Sequence, residues 1–471
     1  MKTYQDLQEV LGNEEQLKNF ILMAISDHKN SERYYWAKEG VAYDRQENST
    51  IMKFRKWLYT VSGKTIPDNF SANYKLPSNY YNRFNVQENQ YLLGNGANFN
   101  DPTLKDRLGT KKNAFDTKLQ KAGKIALTQG EAFGFWNLDH VEVFAFLEFV
   151  PLYDEEDGAM KAGIRFWQID ENKPLRATLY EIDGYTEYIK RKNDPSLMVY
   201  KEKRPYILKT RTSQADGTEI YGGENYPGFP IVPLWGNQDH SCKIKAWQAK
   251  IDCYDLIESG FANDVDDASL LYWTITNAGG MDEVDLAQFI QRMKTVHAAV
   301  IDSDGGTTAE AHSIDVPVQA RETYLKMLEK DLYKDAMALD TDAIANGNTV
   351  ATAIRAAYEP LNNKTDDFEY CVIEFIQGIL DLIGVDDQPT FKRSTIINQT
   401  EETNMVLAAA QYLDDETILK HLPFISVDEI EQILDNRVRE EANRFANTEV
   451  ANGQGEEMDG QGTPTNGETR K

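Results

Sequence analysis

Four short clusters in this 471-residue chain hold residue types that could do chemistry, and each lacks something that chemistry needs. Ser62-Gly63-Lys64-Thr65 ends like a phosphate-binding loop. A cradle of backbone N–H groups needs its first glycine five residues before Gly63, where Leu58 stands, and the residues ahead of it read as helix rather than strand. His140-Val141-Glu142 is half of a zinc deaminase signature, but no Cys-x-x-Cys follows it. Asp302-Ser303-Asp304-Gly305 opens like a calcium loop, which Gly306 and the missing distal glutamate break, so it reads as a turn. Glu155, Glu156 and Asp157 could hold a divalent ion for nuclease chemistry, against the plainer reading of a solvated acidic turn. The six histidines include no i, i+4 pair, and neither a Gly-x-Ser-x-Gly elbow nor a dinucleotide fingerprint is present. The expectation is no catalytic residue, no metal site and no cofactor.

A charge pattern has more content. No basic residue lies between Lys250 and Arg292, a stretch that holds Asp252, Asp255, Glu258, Asp264, Asp266, Asp267, Asp282, Glu283 and Asp285. Further on, Lys326, Lys330 and Lys334 recur at i, i+4 and i+8, which aligns them on one helix face, flanked by Glu322, Glu329, Asp331 and Asp335. One reading is ordinary pairing along a solvated helix. The other is a ladder of positive charge within a mostly negative duct.

The elements that would position these residues run from Phe229 to Leu339. A short apolar strand, Ile231-Val232-Pro233-Leu234-Trp235, closes on Gly236-Asn237. From Lys243 the period becomes helical. Ile244, Trp247, Ile251, Tyr254, Ile257, Phe261, Val265, Ala268, Leu271 and Ile275 form one stripe that stops at Gly279-Gly280. About 33 residues would make a rod of roughly 50 Å, long for a globular domain. A second helix carries Leu325, Leu328, Leu332, Ala336 and Leu339. Between them lies a short insert with one small helix (284–294) and two strands (295–301 and 312–316).

The rest of the chain is α+β. Helices are expected at 14–28, 80–93 and 114–128, with a polar loop at 60–78. From Glu131 the period falls to two, and strands are read at 132–137, 141–146, 163–168 and 176–180, joined by turns that favour antiparallel meandering. Later come a helix at 349–358 interrupted at Glu359-Pro360 and resuming over 366–383, a strand at 391–397, and helices at 401–412, 416–421 and 427–445. Ser426 with Glu429 makes a capping box for the last. Residues 448–471 are almost without apolar side chains and read as disordered.

Composition sets bounds on function. Fifty Lys and Arg against 76 Asp and Glu leave a formal charge of −26, which disfavours tight binding to phosphates over a broad surface. Hydrophobic residues at 41% indicate an ordered core. Cys242, Cys253 and Cys371 cannot all pair, and a reducing compartment fits. No apolar signal core and no run approaching a membrane span is seen, so a soluble protein made in a cytoplasm is expected.

The order of several motifs resembles a known family. Tyr80 to Gly96, with Tyr91-Leu92-Leu93-Gly94, is similar to the N-terminal helix and signature of the portal proteins of tailed bacteriophages, in the large family found among siphophages of Gram-positive hosts. Ala126-Leu127-Thr128-Gln129-Gly130-Glu131-Ala132-Phe133 resembles that family's approach to its wing sheet. Ile231 to Asn237, followed by Ile251-Asp252-Cys253-Tyr254-Asp255, is similar to the top of its stem helix. Asn346-Gly347-Asn348 through Leu361 stands where the family has its tunnel loop, with Asn346 in place of serine and Val350 ahead of an Ala-rich turn. Glu401-Glu402-Thr403-Asn404 and Ile425 to Glu431 resemble its C-terminal pattern. The likeness covers about residues 80–445.

The resemblance implies a wing domain with an antiparallel sheet (1–240), a first stem helix (241–280), a small α/β clip insert (281–318) and a second stem helix (319–340). A tunnel loop and long interrupted helix (341–384), a return strand to the wing (385–400), a helical crown (401–447) and the tail would follow. It implies a ring, commonly of 12 subunits, at one capsid vertex of the virion, through which double-stranded DNA passes non-specifically during packaging and ejection. The implied partners are the terminase large subunit, major capsid and scaffolding proteins, and later a head-completion adaptor, with no membrane. Asn346, Gly347, Asn348 and Thr349 would line the narrowest point, and Lys326, Lys330 and Lys334 would face the lumen. Ile244, Trp247, Ile251, Tyr254, Phe261 and Val265 would pack the stem, because a rod with a long apolar stripe needs neighbours and a closed ring of copies supplies them. The alternatives are a minor capsid or adaptor protein without a DNA channel, and a metal-dependent nuclease built on the acidic turn.

Overall fold

The computed structural model describes residues 2–59, 63–69, 71–212, 219–268, 272–276, 288, 308–312, 317–342, 351–394, 403, 406–422, 425, 430 and 432–439. Contacts divide the chain into two units, Met1–Gly347 with Ala356–Ser394, and Asn348–Arg355 with Thr395–Lys471.

The first unit opens with helices α1 (Tyr4–Val10), α2 (Glu14–Lys29), α3 (Glu32–Asp44) and α4 (Ser49–Lys53). Thr3, Asn13 and Ser31 cap the first three by accepting hydrogen bonds from N–H groups of the first turn, so each helix starts where a short oxygen-bearing side chain stands. A hairpin of β1 (Trp57–Tyr59) and β2 (Thr65–Pro67) follows, then α5 (Tyr80–Leu93), β3 (Ala97–Asn98), α6 (Leu104–Leu108) and α7 (Phe115–Gln129). Gly130 ends α7 at φ 90°, a left-handed turn that feeds the chain straight into the next strand.

That strand, β4 (Glu131–Asn137), lies between β5 (His140–Ala145) and β13 (Ile231–Trp235) in an antiparallel sheet. A meander of β6 (Phe149–Tyr153), β7 (Met160–Trp167), β8 (Leu175–Glu181), β9 (Gly184–Lys190) and β10 (Met198–Arg204) forms the larger sheet, with neighbours paired antiparallel in sequence order. β11 (Ile207–Thr212) and β12 (Glu219–Glu224) make a separate hairpin. α2 lays Phe20, Ile21, Ala24 and Ile25 on Val150, Leu152, Ile164 and Leu179 of the larger sheet. β4 is buried nearly throughout because both its faces are covered: a Cβ at Gly134 would stand 2.5 Å from the Phe375 ring, while Phe133 packs on Phe149 at 4.4 Å between centroids.

The remaining elements are α8 (Ile244–Ala268), β14 (Tyr272–Thr276), β15 (Thr308–His312), α9 (Val318–Asp335), α10 (Ala351–Ile383) and β16 (Thr390–Phe391). β14 pairs with β15, and β16 with β3. In the second unit, α11 (Asp415–His421) is capped by Asp414 and follows a 3-10 turn at Ala410–Tyr412, and residues 432–439 are helical.

The α+β class and antiparallel sheets read from the sequence are those observed. Several elements differ. α8, read from the sequence as about 33 residues, has 25 and ends at Ala268, about 38 Å rather than 50 Å, and Ile275 lies in β14. Tyr272-Trp273-Thr274-Ile275-Thr276 is β-branched and aromatic, and in β14 it finds a partner in β15, which outweighs the helical period. Tyr272–Thr276 is a partner of the insert strand that the sequence does not announce; 295–301 and 313–316 lie outside the described residues. Pro360 does not interrupt α10, which runs through it. The stretch at 60–78 is not all loop, because it holds β2, and β1 rather than helix precedes it. The strand expected at 391–397 is only Thr390–Phe391, since 392–394 leave the extended pairing; 395–397, the capping box at Ser426 and the tail lie outside the described residues.

Candidate functional site

α8 and α9 form an antiparallel pair. Lys250 is ion-paired with Asp335, and Asp264 with Arg321. From 250 to 264 and from 321 to 335 the separation is 14 residues on each helix, so the two axes keep step over about 21 Å. Arg321 also lies 6.0 Å from the Phe261 ring centroid.

The start of α8 is rooted in an aromatic cluster. Ile244 and Ile251 are fully buried among Tyr43, Tyr80, Tyr81 and Phe84, together with Leu332, Tyr333 and Ala336 from α9 and the turn after it. Trp247 and Tyr254 are partly buried against it, with edge-on contacts to Phe84 and Tyr80. Farther along, burial fades: Phe261 is half-buried and Val265 is 53% exposed. The expected packing stripe is therefore filled within the chain at one end and left open at the other.

A different face of α8 carries a polar ladder. Asp255, Ser259 and Asn263 are buried and accept hydrogen bonds from the N–H groups of Ser78 (2.9 Å), Leu76 (3.0 Å) and Tyr74 (2.7 Å). Alternate residues of an extended chain are about 6.6 Å apart and fourth residues of a helix about 6 Å, so the two repeats stay in register. The segment 74–78 is thereby strapped along the helix. Asn48 donates to the other Asp255 oxygen, and Tyr43 and Thr50 donate to Asp252. Burial raises the Asp255 pKa against those donors. From the sequence, Asp252 and Asp255 count only as part of an acidic stretch or duct wall; the i, i+3, i+7 and i+11 spacing of Asp252, Asp255, Ser259 and Asn263 is the signal of a polar face.

A second buried group was also missed. Glu88 of α5 is fully buried, 2.6 Å from Nζ of Lys243 ahead of α8 and 2.8 Å from Nζ of Lys364 in α10. Burial works to raise the Glu88 pKa, but the two ammonium groups outweigh it and hold the carboxyl below its usual range. Burial lowers Lys364 to about 8, and its ammonium lies over the Trp247 ring at 5.0 Å. One carboxylate thus ties three segments distant in sequence, and removing Glu88 would leave the buried Lys364 ammonium without its counter-ion.

Lys326, Lys330 and Lys334 are all exposed on α9. Lys326 pairs with Glu322 at 2.6 Å and Lys334 reaches Asp331 at 4.0 Å, while Lys330 has no ion pair among the described residues. Asn346, Gly347, Asn348 and Thr349 lie outside the described residues. The acidic turn is engaged: Lys161 bonds Asp154 at 2.6 Å and Asp157 at 2.8 Å, and Gln5 donates to Asp154. Lys161 first, then backbone and Gln5 donors, hold Asp154 well below the usual carboxylate range. Among the described residues, no group of three His, Cys, Asp or Glu could hold a metal ion, and no helix is long and apolar enough to cross a membrane.

The family described as "Phage portal protein, SPP1 Gp6-like" matches residues 17–442. The chain belongs to this phage portal family. The portal protein of Bacillus phage SPP1 is 23% identical over 442 residues, 87% of this chain and 84% of that protein. The portal protein of Clostridium phage phiCD119 is 27% identical over 216 residues, 44% of this chain, and the match spans about half (47%) of that protein's length. Among solved structures, chains from gene transfer agent necks share 11% identity. One, from an empty particle computed with C6 symmetry, has a TM-score of 0.43 over 72% of this chain and 88% of that chain. Another, from a native particle computed with C12 symmetry, has a TM-score of 0.41 over 73% and 89%.

Proposed function

We propose that this portal-family chain assembles into a closed ring, of 12 copies, at one vertex of a phage capsid, and that the ring conducts double-stranded DNA during packaging and ejection. The observation that carries this reading is the antiparallel α8–α9 pair: it is rooted at one end in the protomer's own core, and its far end keeps Phe261 and Val265 incompletely covered. A rod finished at one end only is completed by copies of itself, and contacts between unlike faces close into a ring.

The ring's role is structural rather than catalytic. In the acidic turn that a nuclease would need, Lys161 neutralises Asp154 and Asp157, and Thr3 donates to Glu155. The DNA path is formed by Asn346, Gly347, Asn348 and Thr349 at the narrowest point and by the exposed Lys326, Lys330 and Lys334. The family membership and the −26 charge support this: phosphate affinity climbs steeply with each cation engaged, so a wall with few cations lets DNA slide. The insert between α8 and α9 docks the terminase large subunit and later a head-completion adaptor, while the outer surface meets major capsid and scaffolding proteins. End-on electron microscopy with native mass measurement of purified protein tests the ring. A closed ring with a central hole is expected; a stable monomer at micromolar concentration, or a ring-less capsid adaptor, overturns the reading.

A further inference from the structure

The hairpin β1–β2 is exposed along its described length, and two strands alone are marginal in water. Apolar side chains on it and on the residue that caps α4 just before it are exposed: Trp57 is 54%, Ile66 43% and Phe54 40% exposed. Its charge is equally unusual for this chain. Residues 49–67 contain Lys53, Arg55, Lys56 and Lys64 and no acidic residue. Lys53, Arg55 and Lys56 have no ion pair among the described residues. The chain after the hairpin is strapped to α8 at 74–78 by the Asp255, Ser259 and Asn263 ladder, which anchors one end of this basic, apolar arm.

The complementary surface lies on the same α8–α9 pair. An open groove of about 430 Å³ is lined by Leu256, Ile257, Gly260, Ala320, Arg321 and Tyr324. Asp252 and Asp255 are taken up on the strap side of the helix and Asp264 pairs with Arg321 of the groove, but past it the end of α8 adds Asp266 and Asp267, with no basic residue from 251 to 268. Gly260 sits inside α8, where glycine costs about 1 kcal/mol relative to alanine. A Cβ there would meet nothing within 4 Å, so nothing in the protomer itself calls for the glycine.

We infer that the β1–β2 arm of one copy seats in the α8–α9 groove of the next, its lysines and arginine beside the acidic end of α8. The occupant is a second copy because the arm's charge and apolar surface complement a groove on the same chain, and unlike patches on one chain join head to tail. This rests on the ring reading and adds which surfaces close it.

The test pairs Trp57→Cys with Gly260→Cys in the full chain, with Cys253→Ser to remove the half-buried native thiol. Oxidation of assembled rings is expected to give a ladder of cross-linked multimers on denaturing gels, and each single-cysteine variant no ladder. Rings that form normally but give no ladder, or only an internally linked monomer, overturn the arm-in-groove contact and leave the ring reading standing. A wild-type protein that forms no ring overturns both. Gly260→Trp is the second probe: its Cβ has free space in the protomer, so helical content and melting hold while the ring fraction falls at least about tenfold. Unchanged ring assembly by that variant overturns the contact.

Discussion

The β4 core and the far half of α8 bury apolar surface in opposite ways. Phe133, Phe144 and Phe149 are at most 1% exposed and pack on one another and on neighbouring strands, so the sheet is complete within one chain. On α8 the most buried positions after Ile251 are Asp255, Ser259 and Asn263, while Val265 is 53% exposed. The sheet is held by area removed from water. The helix is held by directed hydrogen bonds to a strap, with its apolar side chains left for another surface. A domain that folds alone and an element that completes itself by assembly carry these different signatures.

The sharpest way to break this comparison is a pair of truncations. Phe149→Ala is expected to cost about 3–5 kcal/mol in the protomer, and Val265→Ala under about 1 kcal/mol, by denaturant melting below the assembly concentration. Similar costs at the two sites would erase the distinction.

The next effect concerns Glu131 on β4, fully buried beside Arg33 (2.6 Å) and Tyr153 (2.7 Å). Burial pushes its pKa up to about 7 against those partners. A carboxyl raised in the fold contributes stability that is fully present below its ordinary pKa of 4.5 and is lost as the pH rises through about 7. The wild type is therefore expected to lose up to about 3 kcal/mol between pH 4.5 and 7.5 that Glu131→Gln does not lose. Parallel stability profiles would show that Arg33 compensates the charge fully.

Smaller still, Asp255→Ala removes the acceptor for Ser78 N–H and Asn48, at an expected cost of about 1–3 kcal/mol. Limited proteolysis should open the 60–78 stretch first, while the sheet core stays protected; cleavage elsewhere would deny that the ladder holds the strap. The smallest effect on folding is expected for Lys326, Lys330 and Lys334 replaced together by Gln. Melting and ring formation should be unchanged, and packaging or DNA retention in heads altered. Unaltered packaging would make the stripe a plain solvated face.

Periodic segments were legible in the sequence. The helices at Glu14–Lys29, Tyr80–Leu93 and Phe115–Gln129 and the strands around Phe133, Phe144 and Phe166 declare themselves through apolar residues at helical or strand spacing. The three-residue strands β1 and β2 have no period of their own to show, since a strand that short gains its identity from its partner's hydrogen bonds. The same reason moved Ile275 from helix to strand. Pro360 misled because a rule about local backbone sterics was overridden by a helix whose apolar face, Phe368, Val372, Phe375, Ile376 and Ile379, is locked into the core.

By itself the sequence determined the α+β class, the acidic balance, the absence of recognised catalytic motifs and the likeness to portal proteins, all of which depend on residue types and nearby spacing. Tertiary structure alone decided that Glu88 meets Lys243 and Lys364 and that Asp255, Ser259 and Asn263 hold the strap at 74–78. Those partners lie more than 100 residues apart. A buried charge or hydrogen bond between them has no period along the chain; it exists only once folding has removed both groups from water and left each the other's remaining partner.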